Sequence, residues 1–394
     1  MPELAARTLP SQVVIAPNAF KGTLTAAAAA RAIGEGVAAA WPSAVCRALP
    51  LADGGDGFLA TLLAATGGDQ FRCRVPGPLL EPVWTKVGWP GGSGARSAVV
   101  ELAGACGLRL VNHPSPDSAG RASTRGLGEL IRAAVTRGAE QVLVGLGGSA
   151  STDGGAGLAQ ALGFRCLDHK GAPIGPGGLG LIGLNRIELE EGPPPLHQVH
   201  LVAACDVDNP LLGARGAAAV FAPQKGADRA TVRRLEHGLA RLAQIVDRDL
   251  HPSVSANQPG MGAAGGAAFG LAAFCGARLE SGVSLVASGV GLDSALDQAN
   301  LVITGEGRFD DASLHGKVTG EVLRRAAARG LPCLVLAGSS DRSAQELARK
   351  LGGQVVQISP EQGAPAGPTP RAAFSRLRAA TTRACFDWAR GGLG

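Results

Sequence analysis

Toward the N-terminus the apolar positions come in short blocks divided by breakers. Val13-Val14-Ile15-Ala16 is a continuous apolar run of strand length. Pro17 to Gly22 interrupts it, Thr23 or Thr25 can cap a helix running through the alanines to about Ala40, and Trp41-Pro42 stops that helix. Val45 to Leu51 predicts a second strand and Asp53-Gly54-Gly55-Asp56-Gly57 a loop. Phe58 to Ala65 predicts a second helix, closed by Thr66-Gly67-Gly68.

The rhythm then changes. Phe71 to Val75, Val83 to Trp89 and Ser97 to Leu102 read as three strands joined by Pro/Gly turns, with no room for helices between them, which is an antiparallel pattern. Helix and strand alternate again at Ser123 to Arg137 and Gln141 to Leu146. A Gly-rich loop at Gly171 to Gly183, a buried strand at Val199 to Val207 and an amphipathic helix at Arg229 to Leu250 follow.

The C-terminal third is regular α/β: strands at Leu301 to Thr304, Cys333 to Ala337 and Val355 to Ser359, with helices at Gly316 to Arg329, Arg342 to Leu351 and Arg371 to Arg390. The expected fold class is therefore α/β, a Rossmann-like parallel-sheet domain formed by both chain ends (residues 1–70 and 284–394). A mixed-sheet α/β domain (residues 71–283) is inserted into it, and the cleft between the two is the expected place for a small-molecule site.

Composition narrows the possibilities. The 394 residues are 45% hydrophobic and 18% charged, enough for ordinary cores, and aromatics are only 4%, so base-stacking platforms are not expected. A net charge of +5 without a block of like charges argues against nucleic acid as a partner and fits a site that receives anions. No two cysteines are spaced as CxxC, and the first ten residues lack a secretory pattern, so a reducing cytoplasm is the expected compartment. Pro252 to Ala277 carries no charge, with Gly262, Gly266 and Gly270 at GxxxGxxxG spacing. Its polar first third and Gly/Ala character predict a buried, closely packed helix and not a membrane span.

Four loops join glycine with acids, hydroxyls or lysine. Asn18 to Thr23 carries Lys21 at a helix start, where an anion can dock; a solvated lysine beside a cap is the alternative. Asp53 to Gly57 sets Gly54 and Gly55 between two acids, costly in chain entropy for a plain turn. Gly147 to Gly155 stacks Gly148, Ser149, Ser151 and Thr152 against Asp153, a cradle for phosphoryl oxygens. Gly305 to Asp311, followed by Ser313, His315 and Lys317, offers Glu306 and Asp310 for Mg²⁺ and Lys317 for an anion.

Asp206 and Asp208 would share a side if the strand before them stays extended, and Lys225 in Ala222 to Gly226 reads as an ordinary turn lysine. Walker A, HExxH and GxSxG patterns are absent. Gly145, Gly147 and Ala150 fit GxGxxA, with Asp168 beyond them, and so keep a nucleotide-linked dehydrogenase as an alternative; Asp153 inside that loop weighs against it. Acids, glycines and lysines without a His or Cys nucleophile point to phosphoryl transfer.

Six segments in order, APNAFKGTLTA, PLADGGDGF, GLGGSASTDGGAGLAQALG, ACDVDNPLLG, APQKGA and LVITGEGRFDDASLHGK, resemble the bacterial glycerate kinases that lack a P-loop. The resemblance implies a two-domain enzyme using ATP and Mg²⁺ on D-glycerate, with 2-phosphoglycerate the usual product; a kinase of a related hydroxy acid stays open. Asn18 stands where many members have Asp, which takes a catalytic base away from that position. Asp56 stands for Glu, Thr152 for Asn, and Val318-Thr319 for Ala-Pro. On this reading Lys21 and Asn18 help hold the glycerate carboxylate, and one of Asp53, Asp153 and Asp206 takes the hydroxyl proton. Gly54, Gly55, Gly148, Ser149, Ser151 and Lys317 meet phosphoryl oxygens, while Glu306 and Asp310 hold Mg²⁺. A monomer or homodimer is expected, and replacing Asp153 by Asn or Lys21 by Ala is expected to cut turnover without unfolding.

Overall fold

The computed structural model describes residues 9–20, 22–55, 57–91, 96–190, 198–314, 316–358 and 369–391. Lys21, Asp56 and His315 lie outside the described residues. The chain is a mixed α/β protein and forms two compact units, Met1–Asp53 with Val283–Gly394, and Gly54–Gly282.

The first unit is built on a wholly parallel sheet. Its strand order is Gly353–Gln357, Cys333–Ser340, Leu301–Phe309, Gln12–Ile15, Val45–Ala48. The Val13 to Ala16 run is buried as a central strand of such a sheet must be. The helices Ala26–Ala40 and Pro370–Ala389 pack on one face, Ile33 of the first helix joining Ile15, Ile303 and Leu336 of the sheet in one core, with Trp41 and Trp388 edge to face at 5.7 Å. Strand order reverses at Gln12–Ile15: the chain continues to Val45–Ala48 on one side, while Leu301–Phe309 lies on the other. Ligands of open α/β sheets collect outside the strand carboxyl ends at such a reversal. The strand expected to stop at Thr304 runs on to Phe309, because Glu306 pairs opposite Ala337 and Arg308 opposite Ser339. The expected second strand is shorter than its apolar pattern and ends at Ala48.

The second unit holds a mixed six-stranded sheet, ordered Arg278–Glu280, His200–Ala204, Gln141–Gly145, Ser97–Glu101, Pro82–Trp89, Asp69–Pro76. The last three form the expected antiparallel meander, but Ser97–Glu101 also pairs in parallel with Gln141–Gly145, which begins a four-stranded parallel half. The helix Phe58–Thr66 belongs to this unit and not, as its place in the βα rhythm suggests, to the first: Gly57 and Leu59 N–H donate to Glu101 Oε1 at 3.0 and 3.1 Å, and Phe58 is fully buried. A carboxylate at that helix start satisfies free donors and favours the helix dipole.

The uncharged segment does supply a buried helix, Ala263–Cys275, but its first turn is distorted, with φ at +54° for Ala264, +69° for Gly265 and +85° for Gly266. The helix Arg229–Leu250 forms as its pattern predicts, capped by Asp228, which accepts from Thr231 N at 2.7 Å. The Gly-rich stretch contains the short helix Gly177–Gly180, continued by the 3₁₀ turn Leu181–Gly183. Among the described residues no helix is long and apolar enough to cross a membrane.

Candidate active site

The predicted residues that are described follow the carboxyl ends of parallel strands in one unit or the other. In the first unit, Asn18 follows Gln12–Ile15, and its N–H donates to the Gly305 carbonyl at 2.9 Å, across the point of strand reversal. Asn18 is buried, and its Oδ1 accepts from Ala19 N at 2.8 Å. The loop then folds on itself through paired Phe20 and Leu24 backbones, and Thr25 caps the helix by accepting from Ala28 N at 3.2 Å. The helix start expected to dock an anion therefore carries its own cap. Leu51 N donates to the Pro17 carbonyl at 3.0 Å, which brings the half-buried Asp53 to the same edge. The Lys21 expectation falls outside the described residues.

Glu306 lies on the adjacent strand, 7% exposed. Its Oε1 has no hydrogen-bond partner among the described residues, and neither does Oγ1 of the fully buried Thr319. Burial pushes the Glu306 carboxyl above the usual carboxylate range. The nearby Thr319 and Ser313 hydroxyls and the Lys317 charge pull it back, while Asp310 adds to the rise. Thr319 opens the helix Val318–Ala327, which has Lys317 at its N-cap and no side-chain cap. A helix start with free donors, a lysine and two unsatisfied buried oxygens is a site prepared for a polar ligand.

Asp310 is more committed than expected. Its Oδ1 accepts from Ser313 N at 3.1 Å and Ser313 Oγ at 3.3 Å, and its Oδ2 lies 3.4 Å from Arg308 Nε. Among the described residues no three His, Cys, Asp or Glu side chains are grouped to hold a metal ion. One open carboxylate oxygen on Glu306 suits Mg²⁺ in its usual nucleotide setting, where phosphate and water supply most ligands. It does not suit a resident metal with an all-protein cage.

In the second unit the parallel strands end at Glu101, Gly145, Ala204 and Glu280, and the predicted loops cross those ends. Gly147 N donates to the Gly54 carbonyl at 3.2 Å, and a Cβ on Gly147 would lie 2.4 Å from Gly55 Cα, so glycine is required for this approach. Asp206 Oδ1 accepts from Ser281 Oγ at 2.8 Å and Gly282 N at 3.0 Å. The strand stops at Ala204, however, and Asp208 turns away to Arg215 at 2.9 Å, so the two acids do not form a pair on one side.

Ser149 Oγ lies 3.1 Å from Ser151 Oγ and donates to the Ser151 and Ala264 carbonyls, both at 3.2 Å. Asp153 is 1% exposed and accepts from Thr124 N (2.8 Å), Thr124 Oγ1 (2.9 Å), Gly155 N (3.1 Å) and Gly157 N (3.2 Å). Burial raises its pKa, and these bonds lower it again. Four donors on a buried carboxylate make Asp153 a brace for the loop, where the sequence suggested a proton acceptor.

Lys225, read from sequence as a turn lysine, is 3% exposed and donates from Nζ to the Ser151 carbonyl at 2.5 Å. Glu101 and Lys225 are the residues that sequence reasoning missed. Only the segment APQKGA marked the second, and nothing marked the first.

The GxGxxA reading also gives way. Gly147 and Ala150 are tied to Gly54 and Cys106 by backbone bonds, the next helix starts only at Ala156, and Asp168 closes a turn by accepting from Lys170 N and Ala172 N. A dinucleotide fingerprint opens its helix directly from the glycines.

The family model for the glycerate kinase family matches residues 13–385. The chain belongs to the glycerate kinase family. The glycerate kinase of Halalkalibacterium halodurans is 44% identical over 327 residues, covering 83% of this chain and 85% of that protein. A glycerate 2-kinase of Escherichia coli K12 is 41% identical over 328 residues, with the same two shares covered. The crystal structure of a protein described as a glycerate kinase 2 from Salmonella typhimurium LT2 superimposes with a TM-score of 0.80 at 37% identity, covering 98% of this chain and 99% of the other. The chain is thus an enzyme, a kinase acting on glycerate. Among the described residues, the buried hydroxyls of Thr152 and Thr319 have no hydrogen-bond partner.

Proposed function

We propose that this glycerate kinase transfers the γ-phosphoryl group of ATP to the 2-hydroxyl of D-glycerate, giving 2-phosphoglycerate and ADP. The observation that carries the reading is the buried Glu306 carboxylate, with one oxygen unsatisfied, beside the uncapped start of Val318–Ala327 and Lys317. Phosphoryl transfer needs positioning and charge neutralisation more than covalent chemistry, and this edge offers both. The free N–H groups of that helix start and the Lys317 ammonium receive phosphoryl oxygens. Glu306, with the committed Asp310 behind it, is the residue that would hold Mg²⁺, which when bound neutralises charge on the transferring group.

Among the three candidate bases, Asp153 is held by four donors and Asp206 by two. Asp53, half-buried at the first unit's own strand ends, is the carboxylate we assign to the glycerate hydroxyl proton. Gly54, Gly55, Gly148, Ser149 and Ser151 are the residues of the second unit that we assign to phosphoryl oxygens, and Asn18 and Lys21 are those of the first that we assign to the glycerate carboxylate. The reading calls for a compartment that supplies ATP and keeps thiols reduced, a bacterial cytoplasm, and all eight cysteines are free thiols.

The test is phosphorus NMR of the product made from ATP, Mg²⁺ and D-glycerate. The phosphoester is expected on the C2 oxygen. A C3 ester, or no phosphoester while a related hydroxy acid is phosphorylated, contradicts the proposal.

A further inference from the structure

We propose that Lys225 is a positioning residue for the phosphoryl transfer: its Nζ fixes the Ser151 carbonyl, and through it the Ser149–Ser151 hydroxyl pair at the carboxyl edge of the second unit's sheet. The inference rests on the reading that this loop serves the reaction.

The lysine reaches the loop from the 3₁₀ turn Pro223–Lys225, which is locked by backbone bonds from Lys225 N, Gly226 N and Ala227 N to Ala222 and Pro223. Ala222 and Ala227 are themselves buried, so the side chain starts inside the unit and cannot run out to solvent. A buried amine is costly to desolvate, and one carbonyl at 2.5 Å with a nearby carboxylate does not return that cost as well as a methionine would. Burial lowers the Lys225 pKa to about 7 even with the Asp153 charge pulling it up, so the carboxylate that braces the loop also acts on the lysine.

What the contact controls is specific. The Ser151 carbonyl that accepts from Lys225 also accepts from Ser149 Oγ, and Ser149 Oγ in turn accepts from Ser151 N at 3.1 Å. The far side of the loop is pressed on the distorted turn at Ala264–Gly266. Ser149 Oγ donates to the Ala264 carbonyl there and Gly154 N to the Gly265 carbonyl at 3.1 Å. Ala264 is a non-glycine residue held at φ +54°, a strained conformation that persists only where the surroundings impose it. A Cβ on Gly265, itself at φ +69°, would meet the Ser151 carbonyl at 2.0 Å. Lys225 on one side and the strained turn on the other confine the Ser149–Ser151 hydroxyl pair between them.

The experiment is a double-mutant cycle of Lys225→Met and Ser149→Ala, reading kcat, the KM for each substrate and the melting temperature. Lys225→Met is expected to lower kcat by roughly 10- to 100-fold, with each KM within about threefold. The double variant is expected to be no slower than the slower of the two single variants, because both act through one hydroxyl pair. Losses that multiply, or a Lys225→Met enzyme with native kcat, overturn the proposal. A Ser149→Ala enzyme with native kcat overturns instead the reading of the loop, and that single variant separates the two failures. Should Lys225→Met not fold, Lys225→Gln takes its place in the cycle. Failure of both to fold assigns Lys225 to stability alone and overturns the proposal.

Discussion

The two carboxyl edges are built from the same materials, glycine turns, acids and hydroxyls after parallel strands, yet they treat their buried carboxylates in opposite ways. In the second unit Asp153 receives four hydrogen bonds, two of them from one threonine, Thr124, whose Oγ1 also accepts from Leu158 N at 2.9 Å. In the first unit Glu306 Oε1 has no hydrogen-bond partner among the described residues, and neither does the hydroxyl of the neighbouring Thr319. A buried polar group left unmet costs about 1–3 kcal/mol, so a fold that satisfies one carboxylate fully and leaves the other open separates a brace from a binding group. Burial and acidity alone do not make that distinction: burial raises the pKa of both carboxyls. The hydrogen-bond partners do.

The comparison breaks first at its braced side. Thr124→Val or Asp153→Asn is expected to cost about 3 kcal/mol of stability, because each leaves buried donors pointing at nothing; denaturant melts measure it. Any loss of turnover in Asp153→Asn should therefore come with a lower melting point, contrary to what its sequence suggests. Unchanged stability would mean that Asp153 is not the brace.

A second test uses pH. With its folded pKa lowered to about 7, Lys225 is less protonated in the folded state than in the unfolded chain between pH 7 and its ordinary value of 10.5. Stability contributed by this group rises with pH across that window, by at most about 1.4 kcal/mol per pH unit. The slope should show between about pH 7 and 8.5 and be missing in Lys225→Met. At higher pH, buried thiols such as Cys106 and Cys166, pushed up to about 12, hold protons that the unfolded chain loses above ~8.5, and they turn the slope downward.

The smallest effect belongs to Thr319→Val. The Thr319 hydroxyl lies near Glu306 and favours its charged form without a well-formed hydrogen bond, so removing it at constant shape should shift stability by no more than about 1 kcal/mol, well short of the loss in Thr124→Val. A loss as large as that of Thr124→Val would show that the Thr319 hydroxyl is firmly bonded in solution.

Much of this was legible in the sequence, and the failures have physical causes. The amphipathic period of Arg229–Leu250 and the apolar runs at Val13 and Leu301 placed their elements, because local pattern and burial agree there. Gly305-Glu306-Gly307-Arg308 reads as a loop, yet it is strand, held by pairing with Cys333–Ser340, a partner no local pattern contains. Phe58–Thr66 was assigned to the wrong unit because its anchor, Glu101, lies 42 residues away from Leu59. The sequence marks Asp153 as important but does not show its four donors, which come from Thr124, 29 residues away, and from the turn after it. The burial of Lys225 is not legible, because a lysine between Gln224 and Gly226 reads as a surface turn until a carbonyl 74 residues earlier in the chain is brought to it.

The most direct test of the account is the turnover of Glu306→Gln at a temperature where melting shows it fully folded. An open, ligand-facing carboxylate predicts a kcat loss on the order of 1,000-fold with no loss of stability. A kcat within about twofold of the native enzyme would contradict it, and would make Glu306 as structural as Asp153.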